Sequence, residues 1–377
     1  MFFTSFNGDK TISFYENRPL AKPAQWSEEA VLTGEWGKAT DAYLSDHVVA
    51  RDAWLKLDTY LKCHVLQQPL IKNVVIGNNG ALLPYLSEDR LDVSAIEKDL
   101  DSVAQNIVSV KAFTESHGGQ FCYAAVPCQY VFHNDDYPWF MRNREAYTET
   151  VQAVFRARMA EEGVNYVDVG DTFAALDWDA RYSSNIDNHT GIEGAYLSYR
   201  AITDALAGAG LDILEENEFT VETLPNPYFG SRVRSLMGMW ESDEHLKILK
   251  LKEEIPFARS DLGKASEPFI YQLPDNDSAP VEYALYMGGD YAVTEIDTHR
   301  PELPDVLIYG DSFTNAVECV LYTGCNRMWS LDMRYAKEGA LEEYITTYEP
   351  DVVICLRDYE ALLSPIQNGC GIASLLP

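Results

Sequence analysis

The chain has 377 residues, of which 46% are hydrophobic and 12% aromatic, and its formal net charge at pH 7 is −30. This length and apolar content are enough for one large or two modest globular domains, and they exclude a disordered chain. The negative charge argues against nucleic acid and anionic membrane surfaces as partners, because both repel an acidic protein. It is compatible with a neutral or cationic partner without identifying one.

The seven cysteines do not form a recognisable framework. No Cys-x-x-Cys pair and no Cys/His spacing indicates a zinc site, and the odd number leaves at least one thiol unpaired within a monomer. Cys122 and Cys355 lie in apolar runs, as small core residues do. Because a glycine-rich phosphate loop is also missing from the sequence, we predict no metal and no cofactor.

Residues 1–70 are predicted to form an extended arm and a helix that packs on the core. An apolar stripe at roughly helical spacing indicates the buried face of this helix: Leu44, Val48, Trp54, Leu55 and Leu61. A hairpin-like segment is predicted next, over residues 73–84, because Asn78-Asn79-Gly80 is strong turn chemistry.

Residues 71–209 alternate between predicted helix and strand. Asp92 or Ser94 caps a long helix whose apolar residues recur every three or four positions, and His117-Gly118-Gly119 ends it. Further elements are then predicted in this order: a strand at 121–126, a helix at 143–161, a strand at 164–169 and a helix at 194–206. This alternation is typical of a mainly parallel sheet with helices on both faces.

Residues 210–303 break the alternation with several prolines and short strand-like runs, which predict an α+β insertion. The α/β domain is predicted to resume at residues 304–377. The elements predicted there are a strand at 306–309, a helix at 313–322, a strand at 328–331, a helix at 340–348 and a strand at 351–356. No apolar run in the chain approaches the ~20 residues that span a bilayer.

Ser312 lies where the predicted strand at 306–309 gives way to a helix. Gly310 permits a sharp turn after the strand. A serine here is a candidate nucleophile, and its own backbone N–H is a candidate oxyanion donor at the start of the helix. Asp311-Ser312 is also a common capping pair before a helix. Asp311 could cap the helix or shape the turn, and capping is the favoured role. The local sequence leaves the role of the serine open.

Asp187 and His189 lie two residues apart in the segment from Asn185 to Tyr196. In extended backbone their side chains point to the same side. A carboxylate beside an imidazole fixes its tautomer and supports the imidazolium that forms when the ring accepts a hydroxyl proton. These two residues are therefore candidates to activate Ser312.

Together the two segments give the chain a resemblance to the DHHW family and, more distantly, to the alginate O-acetyltransferases, in the SGNH-hydrolase-like superfamily. In that group an Asp-x-His motif precedes a Gly-Asp-Ser motif along the chain. Other segments are similar to motifs of the family: Glu-Asn-Arg at 16–18, Asp46 and Arg51, Asn73 to Gly80, Phe229-Gly230-Ser231, and the strand at 351–356. One departure is that Thr190 and Gly191 follow His189 where the family has Trp-Thr, so a large packing group beside the base is missing.

The resemblance implies an SGNH-hydrolase-like, flavodoxin-like three-layer fold, with Ser312, His189 and Asp187 as its triad. It implies an O-acyl, in particular O-acetyl, transferase or esterase that acts on a cell-envelope or secreted polysaccharide, with an unspecified acyl donor. Family members usually carry an export signal or anchor before the Glu-Asn-Arg motif. We therefore expect an extracytoplasmic protein, tied to a membrane only through an N-terminal segment missing from this sequence. The competing interpretation is a non-catalytic polysaccharide-binding or assembly protein with a degenerate site.

Three further residues are candidates for substrate binding. Arg357 follows the last predicted strand, on the same edge as Ser312 if the sheet is parallel, and the alternative is a structural pairing with Asp358 or Glu360. Tyr130 and His133 follow the strand that ends before Pro127 and are placed to line a cleft. Local packing within their loop is the favoured alternative for both.

Overall fold

The computed structural model describes residues 10–16, 18–86, 91–141 and 143–364. Asn17, the middle residue of the Glu-Asn-Arg motif, lies outside these ranges. So do the first residues of the segment predicted at 1–70 and the last residues of the segment predicted at 304–377.

The strands in chain order are β1 (Ile12–Ser13), β2 (Arg18–Pro19), β3 (Leu70–Ile71), β4 (Val74–Ile76), β5 (Leu82–Pro84), β6 (Gln120–Val126), β7 (Tyr166–Asp168), β8 (Phe219–Thr223), β9 (Lys247–Leu251), β10 (Ala258–Asp261), β11 (Lys264–Ser266), β12 (Val293–Asp297), β13 (Val306–Gly310), β14 (Arg327–Asp332) and β15 (Val352–Asp358). The α-helices are α1 (Glu28–Leu32), α2 (Glu35–Asp46), α3 (Arg51–Tyr60), α4 (Val93–Ser116), α5 (Gln129–Phe132), α6 (Glu145–Glu161), α7 (Val169–Ala174), α8 (Ile192–Ala205), α9 (Ser231–Ser235), α10 (Thr314–Leu321) and α11 (Ala340–Tyr348). The predicted helices and strands of the α/β domain are therefore present, with ends that differ by a few residues.

One eight-stranded sheet organises the molecule, in the order β11-β10-β12-β14-β13-β15-β6-β7. The five strands from β14 to β7 run parallel to one another, which confirms the mainly parallel sheet. The other three strands are antiparallel and come from residues 210–303. The predicted insertion is thus not wholly separate from the domain, because β10, β11 and β12 extend its sheet. The remaining two strands described in residues 210–303, β8 and β9, pair with each other in a separate sheet.

Side chains of β13 alternate between the two faces of the sheet, as strand geometry requires. Val306 and Ile308 join one buried cluster with residues of α8 and α10, whereas Leu307 and Tyr309 join a second with residues of α4, α6 and α11. All four are fully buried. Helices therefore cover both faces, and the three-layer α/β architecture is confirmed.

The longest helix, α4, begins as the sequence predicts. Of the two candidate caps it is Asp92 whose carboxylate accepts the Ala95 N–H, at 3.2 Å. The chain leaves the helix through Gly118, whose φ of 87° favours glycine. Among the helices of the described ranges, none is both long enough and apolar enough to cross a bilayer.

The N-terminal helices α2 and α3 form, but most of their apolar stripe faces solvent. The exposed fractions are 43% for Leu44, 44% for Val48, 64% for Trp54 and 41% for Leu61, so the prediction of a buried face is wrong for these residues. Helical periodicity identifies side chains that share a face, but it does not supply an element to cover them.

Two ion pairs attach the N-terminal arm to these helices. The Arg18 guanidinium donates to both carboxylate oxygens of Asp46, at 2.8 and 2.6 Å, and Arg51 donates to Glu16 at 2.7 and 3.0 Å. The Ala21 N–H adds a third donor to Asp46. Ion pairs thus join the charged residues of the first two family-like motifs, Glu16 and Arg18 of one and Asp46 and Arg51 of the other.

Candidate active site

A tight turn places Ser312 between β13 and α10. A Cβ on Gly310 would lie 2.2 Å from the Leu356 carbonyl oxygen, so the close approach of β15 requires glycine there. The Asp311 carboxylate accepts the Phe313 N–H and its carbonyl accepts the Thr314 N–H, each at 3.0 Å. Phe313 occupies the N-cap position. Of its two predicted roles, Asp311 therefore shapes the turn and does not cap the helix.

The loop before α8 brings His189 and Asp187 to this turn. His189 Nε2 lies 2.8 Å from Ser312 Oγ, and His189 Nδ1 lies 2.6 Å from Asp187 Oδ1. The exposed fractions are 9% for Ser312, 9% for His189 and 1% for Asp187. Residues 123 positions apart in the chain thus meet within hydrogen-bonding distance, in the order Asp–His–Ser.

Asp187 is held by a segment that sequence patterns alone did not assign to the site. The backbone N–H of Ser231 donates to Asp187 Oδ2 at 2.6 Å, and the His189 N–H donates to Oδ1 at 3.2 Å. A Cβ on Gly230 would lie 2.4 Å from the Ile186 carbonyl oxygen, so only glycine lets the two segments approach this closely. The segment Phe229-Gly230-Ser231 therefore orients the carboxylate. From the sequence it was identified only by its similarity to a family motif.

Two opposing effects set the charge state of Asp187. Burial raises the pKa of its carboxyl, but the adjacent His189 imidazole and the N–H donors of Ser231 and His189 outweigh burial. The pKa consequently lies well below its ordinary value. Asp187 is therefore a carboxylate at neutral pH, and it can stabilise positive charge on the imidazole.

Aromatic rings enclose the imidazole. Tyr283 stacks on His189 with ring centroids 3.7 Å apart and an angle of 6° between the planes, and Phe313 approaches at 4.8 Å. Tyr283 comes from the predicted insertion and is buried. The residue after His189 is Thr190, where the resembled family has a tryptophan. The ring of Tyr283, from the insertion, supplies a large packing group beside the imidazole instead. No pattern along the sequence pointed to Tyr283, because its distance from His189 depends on the fold.

Two further polar side chains surround the serine and were not predicted. Asn188 Nδ2 lies 3.4 Å from His189 Nε2, and its Oδ1 accepts the Ser231 hydroxyl at 2.9 Å. Arg334 Nη1 lies 3.5 Å from Ser312 Oγ. Carboxylates of Asp332 and Asp290 hold this guanidinium, at 2.6 and 2.8 Å from Nη2. An amide donor and a fixed positive charge therefore lie beside the candidate nucleophile.

The three predicted substrate-binding residues have different surroundings. Tyr130 lines a cavity of about 440 Å³ next to Asn188 and Phe313. His133 is buried and bonds to Asp136 at 2.8 Å, so it packs within its own loop. Arg357 is a residue of β15, which runs further than predicted. It is buried, and its guanidinium pairs with Asp311 at 2.8 Å. Neither His133 nor Arg357 lines this cavity.

The arrangement suits acyl chemistry at a serine. No group of three or more His, Cys, Asp or Glu residues in the described ranges is arranged to hold a metal ion. The cysteines of these ranges are all buried free thiols. A nucleophile with a base and an orienting carboxylate is the set of groups that activates a hydroxyl without a cofactor.

Comparison with solved structures decides the fold. PatB1 from Bacillus cereus, solved with a sulfonyl adduct, superposes with a TM-score of 0.62 at 17% identity, over 77% of this chain and 97% of that one. A DHHW family protein from Eubacterium siraeum superposes with a TM-score of 0.54 at 15% identity, over 81% and 96%. The chain has the SGNH-hydrolase-like fold. No protein-family model matches the chain, and no curated protein matches its sequence significantly.

Proposed function

We propose that this SGNH-like chain is a serine-dependent O-acyltransferase or esterase that acts on a carbohydrate, with Ser312 as nucleophile. The observation that carries the proposal is the relay of three side chains. Ser312 Oγ lies 2.8 Å from one nitrogen of His189, and Asp187 lies 2.6 Å from the other. Both distances are within the range in which a base can abstract a hydroxyl proton.

In the first half-reaction the Ser312 oxygen attacks the acyl carbonyl carbon, and His189 Nε2 takes the hydroxyl proton. The charged Asp187 stabilises the imidazolium and holds the proton of Nδ1 in place. Collapse of the tetrahedral intermediate returns the proton from His189 to the leaving group and leaves the acyl group on Ser312.

We assign three donors to the negative charge that develops on the carbonyl oxygen. They are the backbone N–H of Ser312, the Asn188 amide and the Arg334 guanidinium. The hydrogen bond from Ser231 to Asn188 Oδ1 turns the amide nitrogen of Asn188 toward His189 Nε2. Losing one such donor typically costs about 3 kcal/mol of transition-state stabilisation.

In the second half-reaction an alcohol or water attacks the acyl-enzyme. A sugar hydroxyl as acceptor makes the protein a transferase, and water makes it an esterase. The resemblance to the DHHW family and the alginate O-acetyltransferases supports an acetyl group and a polysaccharide acceptor outside the cytoplasm. The cavity of about 440 Å³ lined by Asn188 and Phe313, the chain neighbours of His189 and Ser312, is within the size range of small-molecule sites.

A chromogenic acetyl ester tests the proposal. We expect the wild-type protein to release acetate, and Ser312→Ala and His189→Ala to lower the rate to background. Ser116→Ala, on the exposed end of α4, serves as a matched control that should keep the wild-type rate. Equal background hydrolysis in all four proteins, with a polysaccharide acceptor also supplied, would instead favour the non-catalytic binding protein.

A further inference from the structure

A turn of two glycines brings Asp290, a residue of the predicted insertion, to the candidate active site. Gly288 and Gly289 precede it with φ angles of 80° and 100°, a backbone conformation that favours glycine. From this turn the Asp290 side chain reaches both α10 and Arg334. The side chains of Asp290 and Arg334 are partly buried.

The two oxygens of the Asp290 carboxylate contact different elements of the site. Asn315 Nδ2 donates to Oδ1 at 3.0 Å, and Arg334 Nη2 lies 2.8 Å from Oδ2. Asn315 is a buried residue of α10, and its backbone N–H donates to the Ser312 carbonyl oxygen at 3.3 Å. Arg334 Nη1 in turn lies 3.5 Å from Ser312 Oγ. These contacts form a closed ring that begins and ends at the candidate nucleophile.

Asp332 also holds Arg334, but in a different way. It precedes the arginine by two residues, and its carboxylate accepts from Nε at 3.0 Å and from Nη2 at 2.6 Å. This pair by itself fixes the guanidinium only relative to its own short segment. Asp290 comes from a distant part of the chain and is anchored to α10 through Asn315. It therefore fixes the guanidinium relative to the helix that follows Ser312.

The distance from Arg334 Nη1 to Ser312 Oγ is long for a hydrogen bond, so the guanidinium contributes little to holding the resting hydroxyl. A donor beside a nucleophilic serine acts instead on the carbonyl oxygen of the acyl group, which becomes negative only when the serine attacks. An interaction that is made only in the transition state raises kcat and leaves KM unchanged.

We propose that Asp290 is a positioning residue, which directs Arg334 Nη1 toward the carbonyl oxygen during acyl transfer by tying the guanidinium to α10. This inference rests on the proposed function. The insertion then serves the site twice, since Tyr283 stacks on His189 and Asp290 holds Arg334. Each of these two residues acts through a side chain that approaches Ser312.

Coupling between two substitutions tests this inference, with kcat and KM measured on 4-nitrophenyl acetate. Asp290→Ala should lower kcat about ten-fold and leave KM within about two-fold, because only the direction of the guanidinium changes. Arg334→Met should lower kcat about 100-fold, as the loss of one oxyanion donor does. Adding Asp290→Ala to Arg334→Met should cost less than about two-fold more, because the side chain that Asp290 positions is already gone.

Asp290→Asn is the conservative variant. Its amide oxygen can still face Arg334, so it should retain more of the wild-type kcat than Asp290→Ala. Asp277→Ala, at an exposed aspartate of the same insertion, is the matched control and should keep wild-type kinetics. A thermal melt of each variant checks folding. If Asp290→Ala does not fold, Asn315→Ala takes its place, because it removes the anchor on α10, and the same coupling to Arg334→Met is expected.

Three results in an active protein would overturn this inference alone. They are losses that multiply in the double variant, an unchanged kcat in Asp290→Ala, and a raised KM at unchanged kcat. A wild-type protein that hydrolyses no ester would reject the proposed function, and this inference with it.

Discussion

At the scale of single residues, the site depends most on the Asp187 carboxylate. Its two oxygens accept hydrogen bonds from His189 Nδ1, the His189 N–H and the Ser231 N–H, at 2.6, 3.2 and 2.6 Å. Each donor favours the charged carboxylate, and together they lower its pKa despite burial. In the proposed mechanism the carboxylate keeps a proton on Nδ1 and leaves Nε2 to accept the proton of Ser312.

Asp187→Asn should therefore abolish most activity with little change in shape. The amide can donate to Nδ1 and so favour the tautomer that carries its proton on Nε2, which cannot accept the serine proton. We expect kcat for an acetyl ester to fall about 10³- to 10⁴-fold, as for the equivalent change in a serine-protease triad. A fall of less than ten-fold in a folded variant would contradict the role given to Asp187.

Tyr283 contributes through its ring. Its stacked contact with His189 keeps the imidazole in plane with Asp187 and Ser312, and aromatic pairs are worth about 0.5–1.5 kcal/mol beyond their buried area. Tyr283→Ala should lower kcat up to about ten-fold, whereas Tyr283→Phe should retain most of it. Equal losses in the two variants, measured on the same ester, would show that the hydroxyl matters and the stacking does not.

At the scale of elements, three separate segments meet at the site: the turn after β13, the loop before α8 and the start of α9. The contact between the last two is close enough to exclude any side chain at Gly230. The geometry of the triad therefore depends on a close backbone contact between two segments, at Gly230 and Ile186, that are not members of the triad.

Gly230→Ala tests this dependence. Its Cβ would lie 2.4 Å from the Ile186 carbonyl oxygen, so one segment must move and the Ser231 N–H must withdraw from Asp187. We expect a loss of about 1–3 kcal/mol in the free energy of unfolding, together with a lower kcat. Gly208→Ala, at an exposed site with no atom within 4 Å of the new Cβ, should change neither. If Gly230→Ala had wild-type kinetics, the start of α9 would not be needed to orient Asp187.

Much of the fold was predictable because its signals are local. Apolar runs and helical periodicity located β6, β13, α4 and α11. Residue spacing picked out Asp187 and His189, the change from strand to helix picked out Ser312, and the family resemblance joined the three as a triad. What the sequence could not predict is which distant segments pack together. Tyr283 and Arg334 reach His189 and Ser312 through tertiary contacts alone. The exposed stripe on α2 and α3 misled the prediction for the same reason.

At the scale of the whole molecule, partly buried acidic groups couple stability to pH. Burial raises the pKa of Glu244 to about 7 from an ordinary 4.5, and hydrogen bonds from Ser184 and Asn185 offset this only in part. Between these two values the folded protein binds more protons than the unfolded chain. The free energy of unfolding should therefore fall as pH rises from about 4.5 to 7. Burial also raises the pKa of Asp358, which adds to the same trend.

Glu244→Gln should weaken this trend. The amide cannot ionise, and its oxygen can still accept the Asn185 N–H. We expect the variant to be more stable than wild type at pH 8 by about 1–3 kcal/mol, and to differ little at pH 4. Urea unfolding at both pH values measures this, with Glu241→Gln on the exposed surface as control. A variant less stable at pH 8 would show that the charged carboxylate is stabilising.

The central claim is that His189 makes the Ser312 hydroxyl nucleophilic, and covalent labelling with phenylmethylsulfonyl fluoride tests it most directly. PatB1 has been solved with a sulfonyl adduct, and sulfonyl fluorides react with activated hydroxyl groups. Peptide mass spectrometry should find one adduct per chain, on Ser312, forming at least about 100-fold more slowly in His189→Ala. No adduct, or an adduct at Ser312 that forms equally fast without His189, would contradict the account.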